Sequence, residues 1–283
     1  MNTEKIIFNT PKSEYSIPNR WELLSPEHFL YLCALISQYA SGNATSNDVR
    51  LFFVCKVLDV DLQKIKDTDA VSNLIVLADQ VDFIFNKDGK VNICFLKQLV
   101  PELKIGRKKI DGYEINTSFD TLTCSLTAAQ FIEAQETLKG GADKLPLLAS
   151  ILYCPGPYSS EKAHELAVSF VKVNQLVLHA IALNFQALVT FLFTKTHFSL
   201  LSTGKRSDPI PEIATGLAET LYNLSADGMG DINAVKRMPV IEFLSILRKK
   251  LIESVRAMND SKIDIIEISK KTGLPTITIK KML

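Results

Sequence analysis

The chain has 283 residues, 47% of them apolar and 22% charged, a composition that supports a packed core and excludes a disordered tail or low-complexity linker. Its 32 Lys and Arg against 31 Asp and Glu leave a net charge of +1, so no whole-chain field draws it to nucleic acid or membrane. The length fits one large domain or two small ones.

Residues 4–10 read as a short strand or an extended arm, followed by a turn from Pro18 to Trp21. Ser25 caps and Pro26 opens a first helix over 26–39, with Phe29, Leu32, Cys33 and Ile36 at helical spacing. A second helix is expected over 46–58 and a third over 69–78. Residues 81–85 and 91–95 alternate around Gly89 and suggest a hairpin; the alternative is that the first arm ends the third helix. A second hairpin is expected around Asp111-Gly112, the pair that supplies positive φ. Further helices are expected over 125–139 with Thr127 as cap, over 144–153, and from Ser160 onward. The longest apolar run, 177–193, is interrupted by His179, Asn184 and Gln186 and is short of the ~20 residues a bilayer needs. It reads as a fully buried core helix reaching about Leu200. A loop over 203–211, a helix over 213–224, a break at 227–230 and a long helix over 239–258 complete the body.

The fold class is therefore mainly α (α+β): helical bundle blocks with a small antiparallel β-hairpin region around residues 81–118. Three consecutive blocks are expected: 1–118, helical with the β region; 119–225, helical around the buried helix; and 226–283, basic helices.

Cys33, Cys55, Cys94, Cys124 and Cys154 are odd in number and widely spaced, with no CxxC pair, which argues against a disulfide framework or a zinc site. Free thiols suit a reducing cytoplasm, and the first fifteen residues carry no signal-peptide pattern. His28, His164, His179 and His197 are scattered, and HExxH, EF-hand, GxSxG and complete P-loop patterns are absent. His164 reads as solvated and His179 as a hydrogen-bonded core histidine. The expectation is a protein with no catalytic residue, no cofactor, no metal and no membrane contact. Trp21, Phe29, Phe52, Phe53 and Phe131, with Phe185, Phe191 and Phe193, either fill the core or line a groove that grips another polypeptide.

Net neutrality hides an asymmetry: residues 236–283 carry 11 Lys/Arg against 5 Asp/Glu (+6), leaving 21 against 26 (−5) for residues 1–235. This basic end reads as a solvated helix face, or as a contact for an acidic protein surface or nucleic acid. Residues 264–271 form one short helix, Thr272-Gly273-Leu274 a turn, and a second helix begins near Pro275. The segment resembles the helix-turn-helix of bacterial regulators. That resemblance implies that Thr276 and Thr278 approach base edges and that Lys280 and Lys281 approach phosphates. The other reading is a helical hairpin that packs Ile265, Ile268, Leu274 and Ile279 on the body.

Leu24-Ser25-Pro26-Glu27-His28-Phe29-Leu30 echoes Leu126-Thr127-Ala128-Ala129-Gln130-Phe131-Ile132, each a capped helix followed by a Gly break and an apolar helix. Duplication and common helix grammar both produce this. Residues 119–153, around the T-x-x-Q-F-I-E helix, and residues 229–243, around M-P-V-I-E-F, are similar to proteins of the tail and structural modules of bacteriophages and prophages. Several of these are called tail assembly chaperones. The likeness covers about half the chain and leaves out the first 118 and last 25 residues. It implies a non-enzymatic protein of the bacterial host cytoplasm that binds a tape-measure or other tail component, or itself, through apolar helical surface.

Overall fold

The computed structural model describes residues 4–9, 13–118, 121–202, 221, 224–226 and 228–283. The fold is mainly α, with three antiparallel two-stranded sheets among the described residues. The chain forms two compact units, Met1–Pro101 with Lys172–Leu188 and Glu102–Val171 with Val189–Leu283. This division differs from the three consecutive blocks read from the sequence, because 172–188 belong with the N-terminal residues. The expected loop over 203–211 lies outside the described residues, as does most of the helix expected over 213–224.

In the first unit, β1 (Lys5–Asn9) pairs with β2 (Glu14–Pro18) and sets Ile6 opposite Ile17, both buried. Helix α1 (Pro26–Ala40) starts where Ser25 Oγ accepts from the His28 amide at 3.1 Å, and it buries Phe29, Leu32, Cys33 and Ile36. Helix α2 (Ser46–Val57) opens with a capping box: the Asp48 amide donates to Thr45 Oγ1 while the Asp48 carboxylate accepts from the Thr45 amide. Those Thr45 donors hold the Asp48 carboxyl below its usual value. Asp67 caps α3 (Thr68–Asp79).

The core of this unit is aromatic. Trp21 stacks on Phe95 at 5.0 Å and meets Phe29 and Phe83 edge-on at 6.2 and 5.2 Å, while Phe53 packs against Phe83 at 5.8 Å. The Trp21 indole N–H donates to the Asn92 carbonyl at 2.8 Å. The cluster explains why residues 81–95 form no regular hairpin. Val81, Phe83, Ile84 and Phe85 are all buried, so both faces of the segment are packed, and the pairing reduces to a single Phe85–Val91 bridge. The segment does not extend α3, which ends at Asp79.

Helix α7 (Gln175–Lys195) departs from the fully buried helix expected. Leu178, Ile181, Phe185 and Leu188 are buried, whereas Gln175, His179 and Gln186 are exposed. These three positions fall within about 40° of one another on the helix. His179 is thus a surface residue. The polar residue of the buried face is Asn184, whose Oδ1 accepts from the Leu99 amide at 2.6 Å and whose Nδ2 donates to the Lys97 carbonyl at 3.0 Å. By length and composition α7 could cross a membrane, with mean hydropathy 1.9 and 44% of its most apolar window buried.

In the second unit, β3 (Glu102–Ile105) pairs with β4 (Lys108–Asp111), and β5 (Ile115–Ser118) with β6 (Thr121–Cys124). The turn expected at Asp111-Gly112 is not used; the chain reverses at Gly106-Arg107, with Gly106 at φ 60°. This register sets Leu103 opposite Ile110, pairs Lys109 with Glu102 and frees Tyr113 for the core.

Helices α4 (Ala128–Leu138), α5 (Leu145–Leu152) and α6 (Ser160–Phe170) follow. Next come α8 (Ser199–Ser202), α9 (Ile232–Arg237) and α10 (Val240–Asp260). The C-terminal pair is α11 (Ile265–Thr272) and α12 (Thr276–Met282). The α4 cap is a second capping box, Thr127 with Gln130. The two echoing helix starts also share a buried N′ leucine and a buried N4 phenylalanine, Leu24 with Phe29 and Leu126 with Phe131, the positions of a hydrophobic staple.

None of the five cysteines is joined in a disulfide. Burial pushes the Cys33 thiol up to about 12 and the Cys124 thiol up to about 11.

Candidate functional site

The aromatic residues read as a gripping surface divide unevenly. Trp21, Phe29, Phe53 and Phe131 are core side chains, each at most 3% exposed, because the clusters around them close over their rings. Phe185 is equally buried, Phe191 and Phe193 are half-buried, and Phe52 is 40% exposed. Trp21, Phe29 and Phe53 therefore offer no outer surface. Phe131 differs in that it forms one wall of a cleft.

That cleft lies where residues 126–131 and 238–247 meet. Residues on either side of α4 and α10 exchange backbone hydrogen bonds: the Ala128 amide donates to the Met238 carbonyl at 2.8 Å, and the Val240 amide to the Leu126 carbonyl at 2.9 Å. Behind this bridge the phenylalanine of each motif, Phe131 and Phe243, lines an apolar cleft of about 250 Å³ with Phe193, Leu201, Leu244 and Leu247. Clefts that hold drug-sized ligands run to ~300–1,000 Å³ and carry a few converging polar groups. This one is smaller and has Ser202 as its single polar lining residue, a shape suited to an apolar side chain. Ser202 is the last described residue before 203–220.

On the other side of α4, a groove of about 690 Å³ is walled by Ile132, Glu133 and Glu136, by Tyr158 and Ser160, and by Asn233, Lys236 and Arg237 of α9. Glu133 is its hub. Its Oε2 accepts from the Tyr158 hydroxyl, and its Oε1 accepts from Ser160 Oγ at 3.0 Å and lies 3.0 Å from His164 Nε2. Burial, then the adjacent Glu133 carboxylate, pushes the Tyr158 phenol well above its usual value. Acid, imidazole and hydroxyl thus converge, but not as a nucleophile relay. That relay needs the serine on the imidazole, whereas Ser160 and His164 both address one carboxylate oxygen, and among the described residues no hydrogen bond joins them. The arrangement ties α6 to α4. Only the Ser160–His164 spacing of four was legible in the sequence; Glu133, 27 residues from Ser160, was not. Among the described residues, no group of His, Cys, Asp and Glu is placed to hold a metal ion.

The C-terminal segment forms as a helix, tight turn and helix packed on α10. Val255, Ile268, Leu274 and Ile279 are buried together, with Leu251, Met258, Ile263, Ile265 and Met282 packed around them. Asp264 caps α11, accepting from the Ile266 amide at 2.7 Å. Gly273 takes the left-handed conformation, φ 71°, and its amide donates to the Ser269 carbonyl at 2.8 Å. Ser269 Oγ then donates to the Leu274 carbonyl at 2.6 Å, which fixes the turn. Of the residues assigned to a nucleic-acid contact, Thr276, Lys280 and Lys281 are exposed, while Thr278 is half-buried on the inner side; Ile277 is outermost at 67% exposed.

Comparison of the chain with known protein families, with curated proteins and with solved structures returns no match.

Proposed function

We propose that the chain is a non-enzymatic assembly protein of a phage or prophage tail module, which holds an apolar side chain of another polypeptide in its second unit. One observation carries the reading. The two sequence stretches that resemble tail-module proteins, about a hundred residues apart, are hydrogen-bonded to each other, and their phenylalanines, Phe131 and Phe243, line one apolar cleft. Such a cleft suits the helix-in-groove mode, in which large side chains at helical spacing anchor an amphipathic partner. The partner class that fits is a long helical protein of the tape-measure kind, which exposes such anchors until it is assembled.

The test is co-expression with the long helical protein encoded in the same module. Wild-type chain is expected to keep the partner soluble and to co-purify with it. Leu247→Asp, which sets a charge at a half-buried position of the cleft, is expected to abolish co-purification while keeping the helical circular dichroism of the wild type. Val76→Asp, at an exposed site of the first unit, is expected to behave as wild type. A Leu247→Asp chain that is folded and still retains the partner overturns the proposal.

A further inference from the structure

The polar groove beside α4 is separate from the apolar cleft, and its lining residues all belong to the second unit. We propose that it binds a short zwitterionic peptide. The free ammonium end meets Glu136, the free carboxylate end meets Lys236 and Arg237, and an apolar side chain between them lies on Ile132 and the Tyr158 ring.

Charge decides the class of ligand. Two carboxylates, Glu133 and Glu136, line the groove on the α4 side, and two cations, Lys236 and Arg237, line it on the α9 side. The formal sum is zero. A ligand of one sign gains from one wall and loses to the other, whereas a ligand carrying both signs is favoured by both. The four groups are not equally available. Glu133 is occupied by Tyr158, Ser160 and His164. Among the described residues, Glu136, Lys236 and Arg237 make no ion pair and no side-chain hydrogen bond. Opposite charges thus line one groove while standing beyond ion-pair distance of each other, and a ligand must bridge them.

Size then selects a peptide over a free amino acid. The groove, at about 690 Å³, falls within the ~300–1,000 Å³ of clefts that hold drug-sized ligands. Both charges of an amino acid sit on one carbon, but the termini of an extended dipeptide lie about 6–7 Å apart. The Asn233 amide, on the basic wall, offers the donor and acceptor that a peptide unit needs. The walls are set in advance. The Ala128 amide, donating to the Met238 carbonyl at 2.8 Å, ties the start of α4 to the end of α9. Asp231 caps α9, accepting from the Asn233 and Ala234 amides at 2.7 and 2.8 Å. Glu133 holds α6 against α4, so little binding energy is lost to ordering the site.

This inference does not rest on the tail-module reading. It is tested by isothermal titration calorimetry of the full chain with the dipeptide leucyl-leucine, unblocked, N-acetylated or C-amidated. The unblocked form is expected to bind saturably at one site, and each block to weaken binding about tenfold or more, the worth of one charged hydrogen bond. Glu136→Gln is expected to weaken the unblocked form by a similar factor and to leave the N-acetylated form unchanged. Lys236→Gln with Arg237→Gln is expected to do the same while leaving the C-amidated form unchanged. This matching of variant to blocked end is a pattern that a general loss of structure does not give. Three results overturn the inference: no saturable binding of unblocked leucyl-leucine, equal binding of the blocked forms, or variant losses that do not follow the blocked end.

Discussion

The aromatic cluster of the first unit and the aliphatic cluster at the C-terminus solve the same problem by opposite routes. Trp21, Phe29, Phe53, Phe83 and Phe95 come from segments spread over 75 residues, and each ring buries ~150–250 Å². Val255, Ile268, Leu274 and Ile279 come from three successive helices and the turn between the last two, spanning 25 residues, and their side chains are smaller. The first cluster cannot form until distant pieces meet. The second assembles from neighbours, at low loop-closure cost and with less apolar area to hold it. Stability is therefore expected to be graded along the chain, with the C-terminal helices opening locally and the aromatic cluster opening with its whole unit.

The largest effect is expected from Phe95→Ala, about 3–5 kcal/mol, because it removes both the stack on Trp21 and the edge contact with Phe29. Trp21 is the single tryptophan, so its fluorescence in a denaturant titration reads this unit directly, and the midpoint should fall. Ile268→Ala is expected to cost about 2–5 kcal/mol, but to register elsewhere: amide exchange in α11 and α12 should accelerate while the Trp21 midpoint stays put. A matching shift of that midpoint would show that the clusters unfold as one and break the comparison. Gly273→Ala places a Cβ at φ 71°, a cost of about 1–2 kcal/mol, again confined to α11 and α12 exchange. Ser25→Ala and Thr127→Ala are each expected to cost about 1 kcal/mol, the first read by Trp21 and the second by α4 exchange.

The smallest effect at neutral pH is that of the buried thiols. Cys33 and Cys124 remain protonated in the folded chain above the ordinary thiol value of 9.0, up to about 12 and about 11. The unfolded chain binds fewer protons over that range, so stability falls as pH rises from about 9 and is unaffected below it. A thiol reagent at pH 8 should modify the half-buried Cys94 and Cys154 before either of them.

What the sequence revealed was what is decided locally. Helix starts at Ser25, Thr127 and Asp264 were legible because a cap and the helix it opens lie within four residues of each other. The C-terminal turn was legible for the same reason. Sheet register was not. Gly106-Arg107 and Asp111-Gly112 are rival turns five residues apart, and the choice fell to burial of Leu103 and Tyr113, which no turn dipeptide announces. The alternation at 81–85 misled because alternate burial presumes one wet face, and here Ile84 is buried on the side where Asp82 is exposed. The cleft was half legible: the motifs holding Phe131 and Phe243 stood out, but their meeting is a long-range fact. Asn184 looked like an interruption in an apolar run, and its role appears only once the 97–99 backbone lies against it.

The allocation of 172–188 to the first unit has a consequence for how the molecule is made. A ribosome releases the first hundred residues well before the helix that completes them. During that interval the Leu99 amide and the Lys97 carbonyl have no Asn184 side chain to meet, and the nascent N-terminal part waits unfinished. The first half of the other unit is translated in between. A fragment cut at residue 101 would stop at that waiting stage, so neither unit of this protein is a continuous stretch that can be exchanged as a module.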